Sequence, residues 1–297
     1  MNKGENNMSE IVKKIPTIVL NERPIVNPPM KTEEVKAILE TPKITMTKRM
    51  TLESIKQNDV KTPEKIVIYG PEGIGKSTWA ANFEKPIFIS TEDGLKGVNP
   101  KPFAFPEAEK WTDIIEAIDE LINNNHDYKH LVLDTLDWAE VLCQRYVVAR
   151  DGKDSIESYG WGKGFTIAAE EFKRLIDKLN VLRKQKNMSI VLLAHSSVST
   201  FNNPTGENYD RFQMKLDKRN YATIKEWCDS LFFSYYETIV ESSAIGAKGK
   251  AFGGTKTIYP NHSVAWDAKN RYGLKKPIKI DDNKPETLYN IIKEATK

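Results

Sequence analysis

The sequence predicts an α/β domain: a mostly parallel central sheet flanked by helices, with an antiparallel β extension towards the C-terminus. Three observations carry that prediction. Short apolar runs recur at Ile66–Tyr69, Pro86–Ser90, His130–Asp134 and Ser189–Ala194, too short for helices and apolar throughout, as strands buried on both faces are. Between the last two lies a helical period that places Phe172, Leu175, Ile176, Leu179 and Leu182 on one face. A glycine-rich turn follows the first run and leads into a helix. Strands that alternate with helices in this way form parallel sheets covered on both faces.

Taken in order, residues 1–62 differ from the rest. Pro16, Pro24, Pro28, Pro29 and Pro42 interrupt a Lys- and Asn-rich stretch with few apolar residues, and only Thr32–Leu39 carries a helical signal. Such a segment cannot bury a core, so it reads as a flexible arm or leader with one short helix. Residues 63–297 form the main domain. Its first strand ends at Gly70 and the following helix covers Thr78–Phe83. From residue 228 to about 280 the pattern turns β-rich, with antiparallel strands expected at Leu231–Val240, Gly254–Tyr259 and Ser263–Ala268. A Gly/Lys loop, Gly246–Gly254, joins the first two, and a helix within residues 285–296 follows.

Composition excludes several classes. Of 297 residues, 39% are apolar and 29% charged, so a large core is possible. The 44 Lys and Arg against 41 Asp and Glu give a net charge of +3, no polybasic footprint for nucleic acid or membrane. Cys143 and Cys228 have no metal-ligand spacing and suit a reducing compartment. No run of about 18 apolar residues exists and the first ten lack a signal-peptide core, so a soluble cytoplasmic chain is expected.

The strongest motif is Gly70-Pro71-Glu72-Gly73-Ile74-Gly75-Lys76-Ser77, with Thr78 continuing into the helix. A GxxxxGK[ST] turn between strand and helix is a phosphate cradle: glycines let backbone N–H groups curl round the phosphates, and the helix N-terminus adds partial positive charge. Lys76 reaches the β- and γ-phosphates and the Ser77 hydroxyl ligates Mg²⁺. A second acid should end an apolar strand; Asp134 fits, holding Mg²⁺. Thr135 stands next, so the water-activating carboxylate must come from elsewhere. Glu92 is the candidate, at the end of the strand after the P-loop helix, with Asp93 and Asp137 as rivals. Carboxyl ends of parallel strands open on one crevice, which also brings His195 to the γ-phosphate side as a sensor. Asn283-Lys284-Pro285-Glu286 is a poor guanine reader and no DxxG follows Asp134, so the nucleotide is read as ATP.

This layout resembles the RecA-like ATPases, and more closely a phage-encoded AAA-domain family related to the RadA core. The matching residues are Gly70–Ser77, Thr91-Glu92-Asp93-Gly94, Leu133-Asp134, Tyr159–Gly164, Ala194-His195-Ser196 and Ala268–Leu274, spread over about residues 64–275. The resemblance implies an ATPase that acts on single-stranded DNA in recombination or annealing, in a bacterial host's cytoplasm, with a single-strand-binding protein as a further partner. A further resemblance is to DnaB-type hexameric helicases, also RecA-like, which carry a Lys-x-Arg-x-Gly near the end of the domain. Lys269 and Arg271 would correspondingly lie two apart on a strand and act in trans, which implies a ring or filament with ATP at the interface. Two loops would meet the DNA. Arg150–Gly164 carries Lys153, Trp161 and Lys163; Ser196–Asn220 carries Phe201, Arg211, Lys215, Lys218 and Arg219. Basic residues interleaved with aromatics suit phosphate tracking and base stacking. A DnaB-like helicase motor and a nucleotide-switched scaffold with little hydrolysis are the alternatives.

Overall fold

In this computed structural model the described residues are 51–55, 62–241 and 250–296. The helix expected at residues 32–39 and residues 246–249 of the Gly/Lys loop lie outside them. The chain divides into two units, Met1–Asp59 and Val60–Lys297. In the first, the described residues hold a single 3₁₀ turn, Leu52–Ser54.

The second unit is built on β1 (Lys65–Gly70), β2 (Pro86–Ser90), β4 (His130–Asp134) and β5 (Ser189–Phe201). β2 is followed by a two-residue strand, β3 (Phe103–Ala104). The sheet order is β3-β2-β4-β5-β1, all parallel, so β5 separates the P-loop strand from the strand that ends in Asp134. This is a mostly parallel α/β sheet with the glycine-rich turn at the end of its β1 strand. Successive β1 residues point to opposite faces, and two cores follow from that alternation. Val67 and Tyr69 pack with α2 (Trp111–Asn123), α3 (Leu136–Arg150) and α4 (Lys163–Lys186). Ile66 and Ile68 pack with α1 (Lys76–Ala81) and α6 (Thr287–Ala295). The five apolar positions read from sequence in α4 are all buried.

Three sequence expectations are corrected. Ser196–Asn220 is not a loop: β5 runs on past His195, turns, and pairs antiparallel with β6 (Tyr209–Met214), after which α5 (Lys218–Trp227) begins. Ser196–Phe201 is polar and β-branched by turns, which suits a two-stranded ribbon with one wet face. The strand expected from Leu231 is β7 (Ser230–Glu241), and its first half is not antiparallel; it pairs parallel with β1 before pairing antiparallel with β8 (Lys250–Tyr259). Ser263–Ala268 forms only isolated bridges, and the third antiparallel strand is β9 (Ile278–Ile280), whose two isoleucines are buried.

Candidate nucleotide site

The cleft at the carboxyl ends of β1, β2, β4 and β5 measures about 490 Å³ and is lined by Lys76, Ser77, Thr78, Glu92, Asp134 and His195, among others. Sequence reasoning named all six. Each follows from strand or helix register. Gly70 closes β1 and tolerates no side chain, because a Cβ there would lie 2.2 Å from Ser234 Oγ and 2.3 Å from Ser234 O on β7. Gly75 precedes α1 at φ +112°, a region that glycine alone enters freely, and so starts the helix at Lys76.

Lys76 is buried, and its ammonium donates to the carbonyls of Gly70 at 3.1 Å and Pro71 at 2.9 Å. Burial pulls its pKa down, while Asp134, Asp137, Glu92 and Glu72 oppose that shift. Ser77 Oγ donates to Asp134 Oδ2 at 2.6 Å. Burial raises the Asp134 pKa, with the Ser77 hydrogen bond and the Lys76 charge opposing. A hydroxyl beside a desolvated carboxylate is a hard-oxygen donor pair, and it fits Mg²⁺, which binds one or two protein oxygens plus phosphate oxygens and water. Among the described residues no cluster of three His, Cys, Asp or Glu forms a closed metal cage.

Glu92 stands across the cleft, partly exposed, with its carboxyl pKa raised by burial against the pull of His195. Its Oε1 lies 3.9 Å from His195 Nε2. On the other side of the ring, Asp137 Oδ2 is 2.8 Å from Nδ1, and Oδ1 accepts the His195 backbone N–H at 2.9 Å. Burial alone would raise the Asp137 pKa; the hydrogen bonds from His195 outweigh it and hold the carboxyl below its ordinary value. Asp93, the other rival base, instead pairs with Lys96 at the surface. Thr91 and Thr135 tie β2 to β4 beneath the site: Thr91 Oγ1 donates to the Thr135 carbonyl at 2.9 Å and accepts its N–H at 2.8 Å.

A family model described as an AAA domain matches residues 62–272. The chain belongs to this AAA-domain family. A crystal structure of the RadB recombinase is similar over 66% of this chain and 87% of that chain, at 12% identity and a TM-score of 0.38. No curated protein matches. The chain thus carries an AAA-type nucleotide-binding domain, and this cleft is where its GxxxxGK[ST] turn lies.

The remaining candidates of this AAA-domain chain lie elsewhere. Lys269 and Arg271 are not two apart on a strand. Lys269 forms an isolated bridge to Leu231, Arg271 sits in a bend, and the chain turns after it at Asn270–Leu274, where the Asn270 side chain binds the Leu274 backbone. Arg271 reaches Asp229 at 3.1 Å, and Asp229 accepts the backbone N–H of Lys65 at the far end of β1 from the P-loop. At about 3.3 Å per residue, that places it some 17 Å along the strand from Gly70, out of reach of its own nucleotide site.

Of the eight proposed DNA residues, Lys153, Trp161, Lys163, Lys215 and Lys218 are exposed. Trp161 is fully exposed and held at φ +51°, inside the Tyr159–Gly164 turn. That turn meets the start of α5, since the Gly162 Cβ direction points at Arg219 Nη2, 3.8 Å away. Arg219 itself pairs with Asp217. Arg211 is corrected. It is buried and ion-paired with Asp267, which also binds Lys225 at 2.9 Å and Tyr221, so its charge is already neutralised inside the fold. Phe201 lies half-buried beneath the Arg211 guanidinium, 5.3 Å from ring centre to Cζ. Among the described residues no helix is long and apolar enough to cross a membrane.

Proposed function

We propose that this chain hydrolyses ATP as a RecA-like phage ATPase, assembles into a ring or filament, and acts on single-stranded DNA in recombination or annealing. The observation that carries the reading is the placement of Glu92 and His195 opposite Lys76, Ser77 and Asp134 in one cleft. Lys76 leaves the loop carbonyls for the β- and γ-phosphates, a short swing of a flexible stem. Mg²⁺, when bound by Ser77 and Asp134, neutralises charge on the β- and γ-phosphate oxygens. Glu92 takes the proton of the attacking water, and its raised pKa brings it closer to working pH, where a base is most effective. His195 reads the γ-phosphate and stands at the root of the β5–β6 ribbon, so the nucleotide's state has a direct route to that ribbon.

Support for trans action is that Arg271, though paired with Asp229, stands at the opposite end of the sheet with its side chain 66% exposed, where a neighbouring subunit could reach it. Support for DNA contact is that Trp161, Lys163, Lys215 and Lys218 are each exposed, an aromatic and three cations open to solvent. Fluorescence anisotropy of a labelled oligo-dT, at low salt with a non-hydrolysable ATP analogue, tests the DNA assignment. Binding that weakens in Trp161→Ala and falls steeply with salt is expected. No binding at low salt removes single-stranded DNA from the account and leaves the nucleotide-switched scaffold.

A further inference from the structure

Thr135 joins β4 to α3 in the wall of the cleft and is 1% exposed. Its backbone is fully committed. The N–H donates to Thr91 Oγ1 at 2.8 Å, and the carbonyl accepts from Thr91 Oγ1 at 2.9 Å and from the Ala139 N–H at 3.1 Å. Its side chain is not. Thr135 is the N-cap of α3, with extended backbone at φ −121° and ψ 158°, yet its hydroxyl caps no N–H of that helix. Among the described residues Oγ1 is buried without any hydrogen-bond partner. The polar groups nearby in the sequence and the site are already taken: Ser77 Oγ by Asp134, the Asp137 carboxylate by His195, and Thr91 Oγ1 by the Thr135 backbone. The other buried polar atoms left in this way among the described residues, on His126, Arg211, Ser230 and Tyr272, lie outside the cleft. A buried hydroxyl with no partner weakens a fold, and a native protein carries one where something else completes it.

We propose that Thr135 is a further binding residue of this site, its hydroxyl completed by an oxygen that arrives with Mg²⁺ and nucleotide, either a phosphate oxygen or a water of the metal's shell. The inference rests on the nucleotide reading above and gives a role to a residue which that reading left out. A threonine hydroxyl offers one donor and two lone pairs, so it matches either oxygen. Its place in the chain favours both. Thr135 directly follows Asp134, and Mg²⁺ held by one or two protein oxygens keeps several waters around it. Thr135 also stands at the N-terminus of a 15-residue helix, whose partial positive charge favours a phosphate or metal-polarised oxygen there. The hydroxyl therefore acts with opposite signs in the two states. In the empty protein it is a cost to the fold, and in the loaded protein it is a contact with the ligand.

The experiment sets thermal melts of the empty full chain beside calorimetric titrations with ADP in EDTA, ADP with Mg²⁺, and ATPγS with Mg²⁺. Thr135→Val keeps the shape of the side chain, suits the extended backbone, and leaves both backbone bonds to Thr91 in place. Thr135→Ser keeps the hydroxyl. Without nucleotide, Thr135→Val should melt about 2–6 °C above the wild type, because the unpartnered hydroxyl is gone. The same variant should bind nucleotide about 3–10-fold more weakly, the scale of one hydrogen bond. Thr135→Ser should bind as the wild type does, even where loss of the methyl lowers its midpoint. A deficit confined to the two Mg²⁺ titrations assigns the partner to the metal's water. A deficit that persists in EDTA, or that appears with ATPγS alone, assigns it to a phosphate oxygen. A Thr135→Val midpoint below that of the wild type means that the hydroxyl is bonded inside the fold, and overturns the proposal; so does wild-type affinity of Thr135→Val for all three ligands. Failure of the parent reading looks different: the wild type itself would then bind none of them.

Discussion

Replacing Glu92 with Gln removes one negative charge and almost no volume, which separates its chemistry from its packing. Lys76, Ser77 and Asp134 are untouched, so nucleotide binding should survive. The loss falls on kcat. A positioned general base contributes about 10²–10⁴-fold, so Glu92→Gln should slow turnover by that factor, equivalent to about 3–5 kcal/mol of barrier. Stability should move the other way or not at all. The folded state raises the Glu92 pKa above its ordinary 4.5, so at neutral pH the ionised carboxylate opposes folding, and a neutral amide relieves that cost. The same shift fixes the pH profile. The base works only when ionised, so kcat falls as pH drops through the raised value, above pH 4.5, and this acid limb disappears in the variant. Steady-state phosphate release from pH 4.5 to 8, with a thermal melt and a fluorescent-nucleotide titration on the same samples, reads all three effects. Wild-type turnover in Glu92→Gln would refute the assignment, and loss of nucleotide binding would show that the residue holds the cleft together instead.

Four further outcomes follow from geometry. Gly70→Ala drives a Cβ into the Ser234 hydroxyl and carbonyl at 2.2 and 2.3 Å, so urea unfolding should show a loss of about 1–3 kcal/mol; an unchanged midpoint would mean that β7 does not press on the P-loop. Arg211→Met removes one of two cationic partners from buried Asp267, with Lys225 remaining, and should cost about 1.5–3 kcal/mol in the same assay, while DNA binding per folded molecule stays as it was. Burial would raise the Asp267 pKa, but its bonds to Tyr221 and Lys225 hold it below 3.8, so this stabilisation is present above that pH and lost as pH falls through the lowered value; Asp267→Asn should lack the loss in acid melts. Mixing Lys76→Ala with Arg271→Ala subunits should restore hydrolysis that neither has alone, and no rescue would argue against a finger in trans.

How much of this was legible in the sequence depended on range. The buried strands, the P-loop and the Asp134 and Glu92 strand ends each announce themselves within a dozen residues, because burial on both faces imposes an apolar run and a phosphate cradle imposes glycines. The β5–β6 ribbon did not. Its residues after Ala194 are polar, and only pairing such as Val198 with Phe212 makes them a strand. Arg211 read as a DNA cation because its partner, Asp267, lies 56 positions away. Asp137 was weighed as a base, while its bond to His195, across 58 positions, exists only once α3 folds over the end of β5. A carboxylate in the first turn of a helix that begins right after the metal-side acid was the available signal, and its buried i, i+3 neighbour Glu140, which caps Asp217 and Asn220, gave the same hint.

The central claim is that this cleft hydrolyses ATP under the control of single-stranded DNA. Its most direct measurement is phosphate release from ATP and Mg²⁺ by the full chain at low salt, with and without oligo-dT. The account predicts hydrolysis that Lys76→Ala abolishes and that oligo-dT accelerates, with the acceleration lost in Trp161→Ala. Hydrolysis indifferent to DNA, or turnover that persists in Lys76→Ala, would contradict it.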